Sequence, residues 1–187
     1  MTDRLEVVAA EDGNRRVIRV AGRPPAPVKR RGTVAWYIPY TKLEAATVAS
    51  APLDAMWIDV SSSDAAYHAA LLDIWGRRET FALLEHDVVC RPDVIDAFET
   101  CPEPWCSYGY ANICHPECQD AWANQLGCVR FRKELLDAVP DALSSIPPEG
   151  WEWRNLCDRI GERLRAKGFT HHWHHPGVDH RGAGWCS

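Results

Sequence analysis

Two carboxylates one residue apart, Glu85 and Asp87, follow directly on the apolar run Phe81-Ala82-Leu83-Leu84. Carboxylate oxygens suit hard divalent cations such as Mg²⁺ or Mn²⁺, and a cation held this way can hold a diphosphate in turn. The run before them is apolar at every position, as in a strand buried on both faces of a parallel sheet. In open α/β sheets the carboxyl end of such a strand is where ligands bind. A solvated loop with Asp87 capping a turn would use the same residues, so Glu85-His86-Asp87 gains force only from the rest of the chain.

Other residues able to do chemistry lie further on. His171, His172, His174, His175 and His180 fall within ten residues. They offer imidazole ligands, or simply a satisfied polar surface. Cys101-x₄-Cys106-x₇-Cys114-x₃-Cys118, with His115 beside it, could hold a structural Zn²⁺, although its spacings are wider than the compact Cys-x₂-Cys knuckle. Buried thiols in a loop-rich insert are the plainer reading of the same cysteines.

The elements that must position these groups read as α/β. Leu5–Ala9 and Arg16–Val20 flank Asp12-Gly13 and predict an N-terminal hairpin. Pro24, Pro25 and Pro27 predict an extended linker. Val34–Ile38, Met56–Val60 and Phe81–Leu84 read as strands. Between them lie a helix over Thr41–Ser50, with Thr41 and Glu44 in a capping-box pattern, and a helix capped by Asp64 or a serine of Ser61-Ser62-Ser63 that runs to Trp75 and is closed by Gly76. Strand, helix, strand, helix, strand with short links predicts a mostly parallel sheet flanked by helices. Pro92 opens a further helix through Glu99. Trp105–Tyr110 and Gly127–Phe131 read as additional strands, Arg132–Val139 as a short helix and Glu152–Lys167 as the last long one. The residues after Gly168 read as a tail. The expected division is residues 1–32, hairpin and linker, then one domain over 33–187, with a ligand-binding half (33–99) and a second half (100–187).

Composition narrows the class. The chain has 187 residues, 46% hydrophobic and 25% charged, and a net charge of −5. These values suit a globular protein with a real core. No run approaches the roughly 18 apolar residues of a membrane helix, and the charged N-terminus does not resemble a signal peptide. The expectation is a cytoplasmic protein with reduced cysteines and no membrane. Residues 1–32 carry eight basic and four acidic side chains, a local charge of +4 that leaves −9 for the rest. That segment could form a small basic patch.

Three stretches resemble family 2 glycosyltransferases. Ala35-Trp36-Tyr37-Ile38-Pro39-Tyr40 is similar to the family's opening strand, V-I-I-P-T-Y-N. Ile58-Asp59-Val60-Ser61-Ser62-Ser63-Asp64 is similar to its V-D-D-G-S-T-D turn, and Phe81–Asp87 to its F-L-D-x-D strand. The resemblance covers residues 33–99 well and the C-terminal half loosely. It implies a GT-A fold, a nucleotide-sugar donor (UDP- or GDP-linked) and Mn²⁺ or Mg²⁺. Carried over residue by residue, Tyr40 lines the nucleotide pocket and Asp59 contacts the nucleobase. Asp87 is a metal ligand. Glu85, where the family has Asp, contacts either ribose or metal. A later acid in the family takes the acceptor's proton; Leu156-Cys157-Asp158, Arg163 and Gly168-Phe169 echo its surroundings, which makes Asp158 the candidate base with Glu152 in reserve. The plainer reading of Asp158 is a surface pair on its helix. Some GT-A enzymes add a late histidine ligand, and His180 matches best, with His175 second.

The expected function is therefore metal-dependent transfer of a sugar to an acceptor hydroxyl in a single inverting step. Short proteins of this look are also encoded by bacteriophages, and a hydroxylated DNA base is a conceivable acceptor. The rival expectation is a zinc-stabilised cysteine-rich binding module without catalysis.

Overall fold

The computed structural model describes residues 5–6, 19–20, 32–110, 126–144, 146 and 153–181. Leu5–Glu6 (β1) and Arg19–Val20 (β2) pair antiparallel as a separate two-stranded ladder. The Asp12-Gly13 turn and the prolines expected to form a linker lie outside the described residues.

The main sheet has seven strands. They are Ala35–Tyr40 (β3), Met56–Asp59 (β4), Phe81–Leu84 (β5), Val88–Val89 (β6), Trp105–Tyr110 (β7), Cys128–Phe131 (β8) and His172–His180 (β9). Their spatial order is β4-β3-β5-β8-β7-β9-β6. β3 lies between β4 and β5 and is parallel to both, as the alternation in the sequence predicts. β8 runs antiparallel to β5 and β7, β9 is parallel to β7, and β6 is antiparallel to β9. The sheet is therefore mixed, and the mostly parallel expectation is too simple. The reversed strands β8 and β6 come from the second half of the chain and from a two-residue run, where the sequence has no strand–helix alternation to reveal direction.

Helices cover both faces. Asp64–Gly76 (α2), Lys133–Ala138 (α4) and Trp153–Ala166 (α5) pack against the face carrying Tyr37, Phe81, Leu83, Val129 and Phe131. Ala45–Ser50 (α1) and Pro92–Thr100 (α3) cover the face carrying Trp36, Ile38, Tyr40, Ala82, Leu84 and Cys128. This two-faced burial is why all four residues of β5 are apolar.

Three local expectations need correction. The helix predicted over Thr41–Ser50 starts only at Ala45; Glu44 is its N-cap, and no side chain caps it, so Thr41 and Glu44 form no capping box. Gly76 is the last residue of α2 and does not terminate it by a left-handed turn. That conformation falls on Arg78, at φ 55°, whose guanidinium donates to the Leu136 carbonyl of α4. The third is the histidine tail, which is strand β9. Pro176 and Gly177 hid it, because a proline removes a ladder donor and glycine weakens a strand. Both sit where the register slips, between the pairs Tyr108↔His174 and Tyr110↔Val178.

The entry to β3 depends on one side chain from α3. Glu99 accepts hydrogen bonds from the backbone N–H of Thr33 (2.9 Å) and of Val34 (3.2 Å), and from the Thr33 hydroxyl (3.2 Å). Removing a shared acceptor leaves donors unmatched at a part-buried edge. Glu99→Ala is expected to lower stability by about 1–2 kcal/mol, read as a lower urea midpoint at unchanged slope. Glu99→Gln should recover part of the loss, since its remaining oxygen still accepts.

Candidate metal centre

The site is built where β5 ends. Glu85 extends the β5 ladder by one bond, its N–H donating to the Gly127 carbonyl at 2.8 Å. The chain then turns tightly, with the Val88 N–H donating to the Glu85 carbonyl at 3.1 Å. That i→i+3 bond makes Glu85-His86-Asp87-Val88 a β-turn and returns the backbone into β6. β6 pairs with the far end of β9, Val88 opposite His180, and the Arg181 N–H donates to the Asp87 carbonyl at 2.7 Å. Strand pairing thereby delivers a residue 93 positions later to the acidic turn.

The result is a three-residue group. One ligand atom from each of Glu85, Asp87 and His180 lies within 4.8 Å of the others. His180 Nε2 is 3.3 Å from Asp87 Oδ2. The other oxygen, Asp87 Oδ1, is buried and has no hydrogen-bond partner among the described residues. A buried carboxylate oxygen without a donor is costly unless a cation or water meets it. Two carboxylates and an imidazole also form a donor set suited to Mn²⁺ and, less well, Mg²⁺. The residues present therefore fit the metal that the resemblance implies.

Two residues that sequence reasoning missed shape the group. Tyr110, at the end of β7, donates its hydroxyl hydrogen to Glu85 Oε2 at 2.8 Å, and its ring lies 4.2 Å from the His180 ring. Gly127 permits that contact: a Cβ there would stand 1.8 Å from the Tyr110 oxygen and 2.8 Å from Glu85 Oε2. A glycine beside a strand marks a place where other groups approach the backbone, which was the available signal.

The electrostatics separate the two carboxylates. Burial pushes Glu85 up to about 7; the negative charge of Asp87 adds to this, while the Tyr110 hydrogen bond and the charge of His180 oppose it. Asp87 is also penalised by burial, yet the hydrogen bond and charge of His180, with the charge of His86, together hold it below the ordinary aspartate value. His180 answers in kind: burial works to lower it, but the Asp87 hydrogen bond and the two carboxylate charges leave it raised. Asp87 is thus the permanent anion of the group and Glu85 the carboxyl that exchanges its proton near neutrality.

The remaining candidates stand around this centre. Tyr40 and Asp59 pair across β3 and β4 at the same edge of the sheet. Tyr40 is buried, its ring 6.1 Å from that of Trp57. Asp59 is exposed, with Oδ1 accepting from the Ser61 N–H at 3.0 Å and hydroxyl at 2.6 Å. Its strand is separated from β5 by β3, so Asp59 shares the edge with the Glu85 group without joining it. Asp158 is exposed on α5, beside Cys157. Burial, then the nearby charge of Glu85, pushes the Cys157 thiol up to about 12, so this part of α5 borders the centre. His175 is exposed at the β9 irregularity and does not belong to the group. Glu152, Cys114, His115 and Cys118 lie outside the described residues; Cys101 and Cys106 are buried free thiols. Among the described residues, no helix is long and apolar enough to cross a membrane. No family model matches the chain, and no curated protein or solved structure matches it.

Proposed function

We propose that this chain is a metal-dependent glycosyltransferase of GT-A type that moves a sugar from a nucleotide-sugar donor to an acceptor hydroxyl. The observation that carries this reading is the convergence of Glu85, Asp87 and His180 at the carboxyl end of β5, with a buried oxygen of Asp87 that has no hydrogen-bond partner among the described residues. When bound there, Mn²⁺ or Mg²⁺ would offset the charge of a departing nucleoside diphosphate. Asp87 and His180 would be its ligands. Glu85 either completes the ligand set or accepts from the donor's ribose, and Tyr110 fixes its orientation in both cases. Asp59 and Tyr40, which pair at the same sheet edge, would contact the nucleoside. Asp158, exposed on α5, would take the proton of the acceptor hydroxyl in a single inverting displacement. A basic N-terminal segment favours an anionic acceptor, a hydroxylated DNA base being the proposed example.

A thermal-shift screen tests this reading. UDP, GDP and their sugars are each added with and without Mn²⁺. A ligand at about 100 times its Kd adds roughly 2.7 kcal/mol of stability, so a donor nucleotide should raise the melting temperature by several degrees only when Mn²⁺ is present. Equal shifts with and without Mn²⁺, or no shift with any nucleotide, would remove the donor site.

A further inference from the structure

A second group of ligating side chains lies at the opposite end of β9. His172 and His174 are two apart on that strand and so share a face. Their rings are 4.6 Å apart and nearly perpendicular. The C-cap residue of α3, Cys101, meets them from the neighbouring layer. Its Sγ and one nitrogen of each histidine all lie within 4.8 Å of one another. In a tetrahedral zinc site, with Zn–N about 2.0–2.1 Å and Zn–S about 2.3 Å, ligand atoms stand about 3.5 Å apart. Small rotations of two rings and one thiol would close the difference.

We infer that Cys101, His172 and His174 bind a borderline-soft transition-metal ion, Zn²⁺ by chemistry, at a site separate from the Glu85 centre. Three observations carry this. A thiolate with two imidazoles is a donor set that Zn²⁺ prefers and Mg²⁺ does not. His174 Nε2 is buried and has no hydrogen-bond partner among the described residues, so a ring nitrogen is held ready without a proton acceptor or donor to satisfy it. The His174 ring is fixed by stacking on Tyr108 at 4.9 Å, as an oriented ligand must be.

The opposing feature is Arg130, a fully buried cation whose charge bears on His174. It donates to the carbonyls of Cys101 and Glu103. Loss of the Cys101 proton on metal binding would supply the anion that offsets it. Cys106 lies opposite His172 on β7 but is not one of the close group, which leaves three protein ligands. His172 is exposed, so the fourth position opens to water. A metal here would tie the end of α3 to β9, the strand that also carries His180.

This inference stands without the glycosyltransferase reading. The test uses the full chain, stripped with chelator and dialysed against Zn²⁺ or Co²⁺. Metal content gives stoichiometry, and Co²⁺ absorption reports a thiolate ligand through its charge-transfer band. The parent should retain Zn²⁺ in the presence of excess Mg²⁺ and show the thiolate band. Cys101→Ser and His174→Ala should each weaken Zn²⁺ binding by more than the roughly 10–100-fold typical of changes behind the ligands, and Cys101→Ser should abolish the band. His172→Ala changes an exposed side chain, so it should lose affinity while keeping the fold. Asp87→Asn should leave the site unaltered. A parent that holds no Zn²⁺, a thiolate band that survives Cys101→Ser, full affinity in His172→Ala, or loss of Zn²⁺ in Asp87→Asn would each overturn the inference.

Discussion

Asp87→Asn is expected to keep the fold and lose function. Asn has nearly the same size, and its amide can still meet His180, so the stability of the metal-free protein should change by no more than about 1 kcal/mol, as for most substitutions that open no cavity. The charge is what disappears. Asp87 is the carboxylate that its surroundings hold ionised, and Oδ1 is a buried oxygen with no donor among the described residues. Losing a charge-stabilising contact of this kind costs about 10²–10³ in turnover. Mn²⁺-dependent stabilisation by nucleotide should vanish with it. Parent-like transfer in the variant would separate the acidic turn from catalysis.

The second large effect is on stability against pH. Glu85 is raised from 4.5 to about 7, chiefly by burial. A carboxyl raised on folding binds its proton more tightly in the native state. Its contribution is therefore fully present below 4.5 and is lost as pH climbs through about 7. His180 is raised as well, so it also withdraws stability as pH rises above the ordinary histidine value. Asp87, being lowered, acts only at acid pH, outside this window. The metal-free protein should thus weaken between pH 5 and 7.5, with Glu85 responsible for about 3 kcal/mol. Glu85→Gln keeps an oxygen for the Tyr110 hydroxyl and has no proton to lose, so its urea stability should be nearly flat up to the ordinary histidine value and fall above it only by the part that His180 withdraws. Binding of Mn²⁺ requires the ionised carboxylate, so affinity in the parent should rise over the same interval. A Glu85→Gln profile parallel to the parent's would show that Glu85 titrates normally.

Legibility in the sequence follows physical range. β3, β4 and β5 were readable because a strand buried on both faces is apolar at every position, and short helical links dictate parallel neighbours. Pro92 announced α3 by its fixed φ. Glu85 and Asp87 stood out because a strand cannot continue through two carboxylates. What escaped depends on contacts distant in sequence. β9 is a strand by virtue of its ladder to β7, and its histidines, Pro176 and Gly177 carry little intrinsic β preference. Tyr110 and Gly127 belong to the site because antiparallel β8 starts beside the end of β5 and β7 ends on its other side, a fact of strand order that no local pattern contains. The same ladder sets His172 and His174 beside Cys101. Asp59 ends β4 at the same edge of the sheet, with β3 between it and the acidic turn.

The central claim is that Glu85, Asp87 and His180 hold a divalent cation that engages a nucleoside diphosphate. Electron paramagnetic resonance of Mn²⁺ titrated into the metal-free chain at pH 7.5, with and without UDP or GDP, reads this directly. The account predicts one bound Mn²⁺ per chain, tightened by one of the nucleotides; by linkage that nucleotide must bind more tightly with Mn²⁺ by the same factor. Binding should weaken in His180→Ala and be lost in Asp87→Asn. Free Mn²⁺ throughout the parent titration, or parent-like binding in Asp87→Asn, would contradict it.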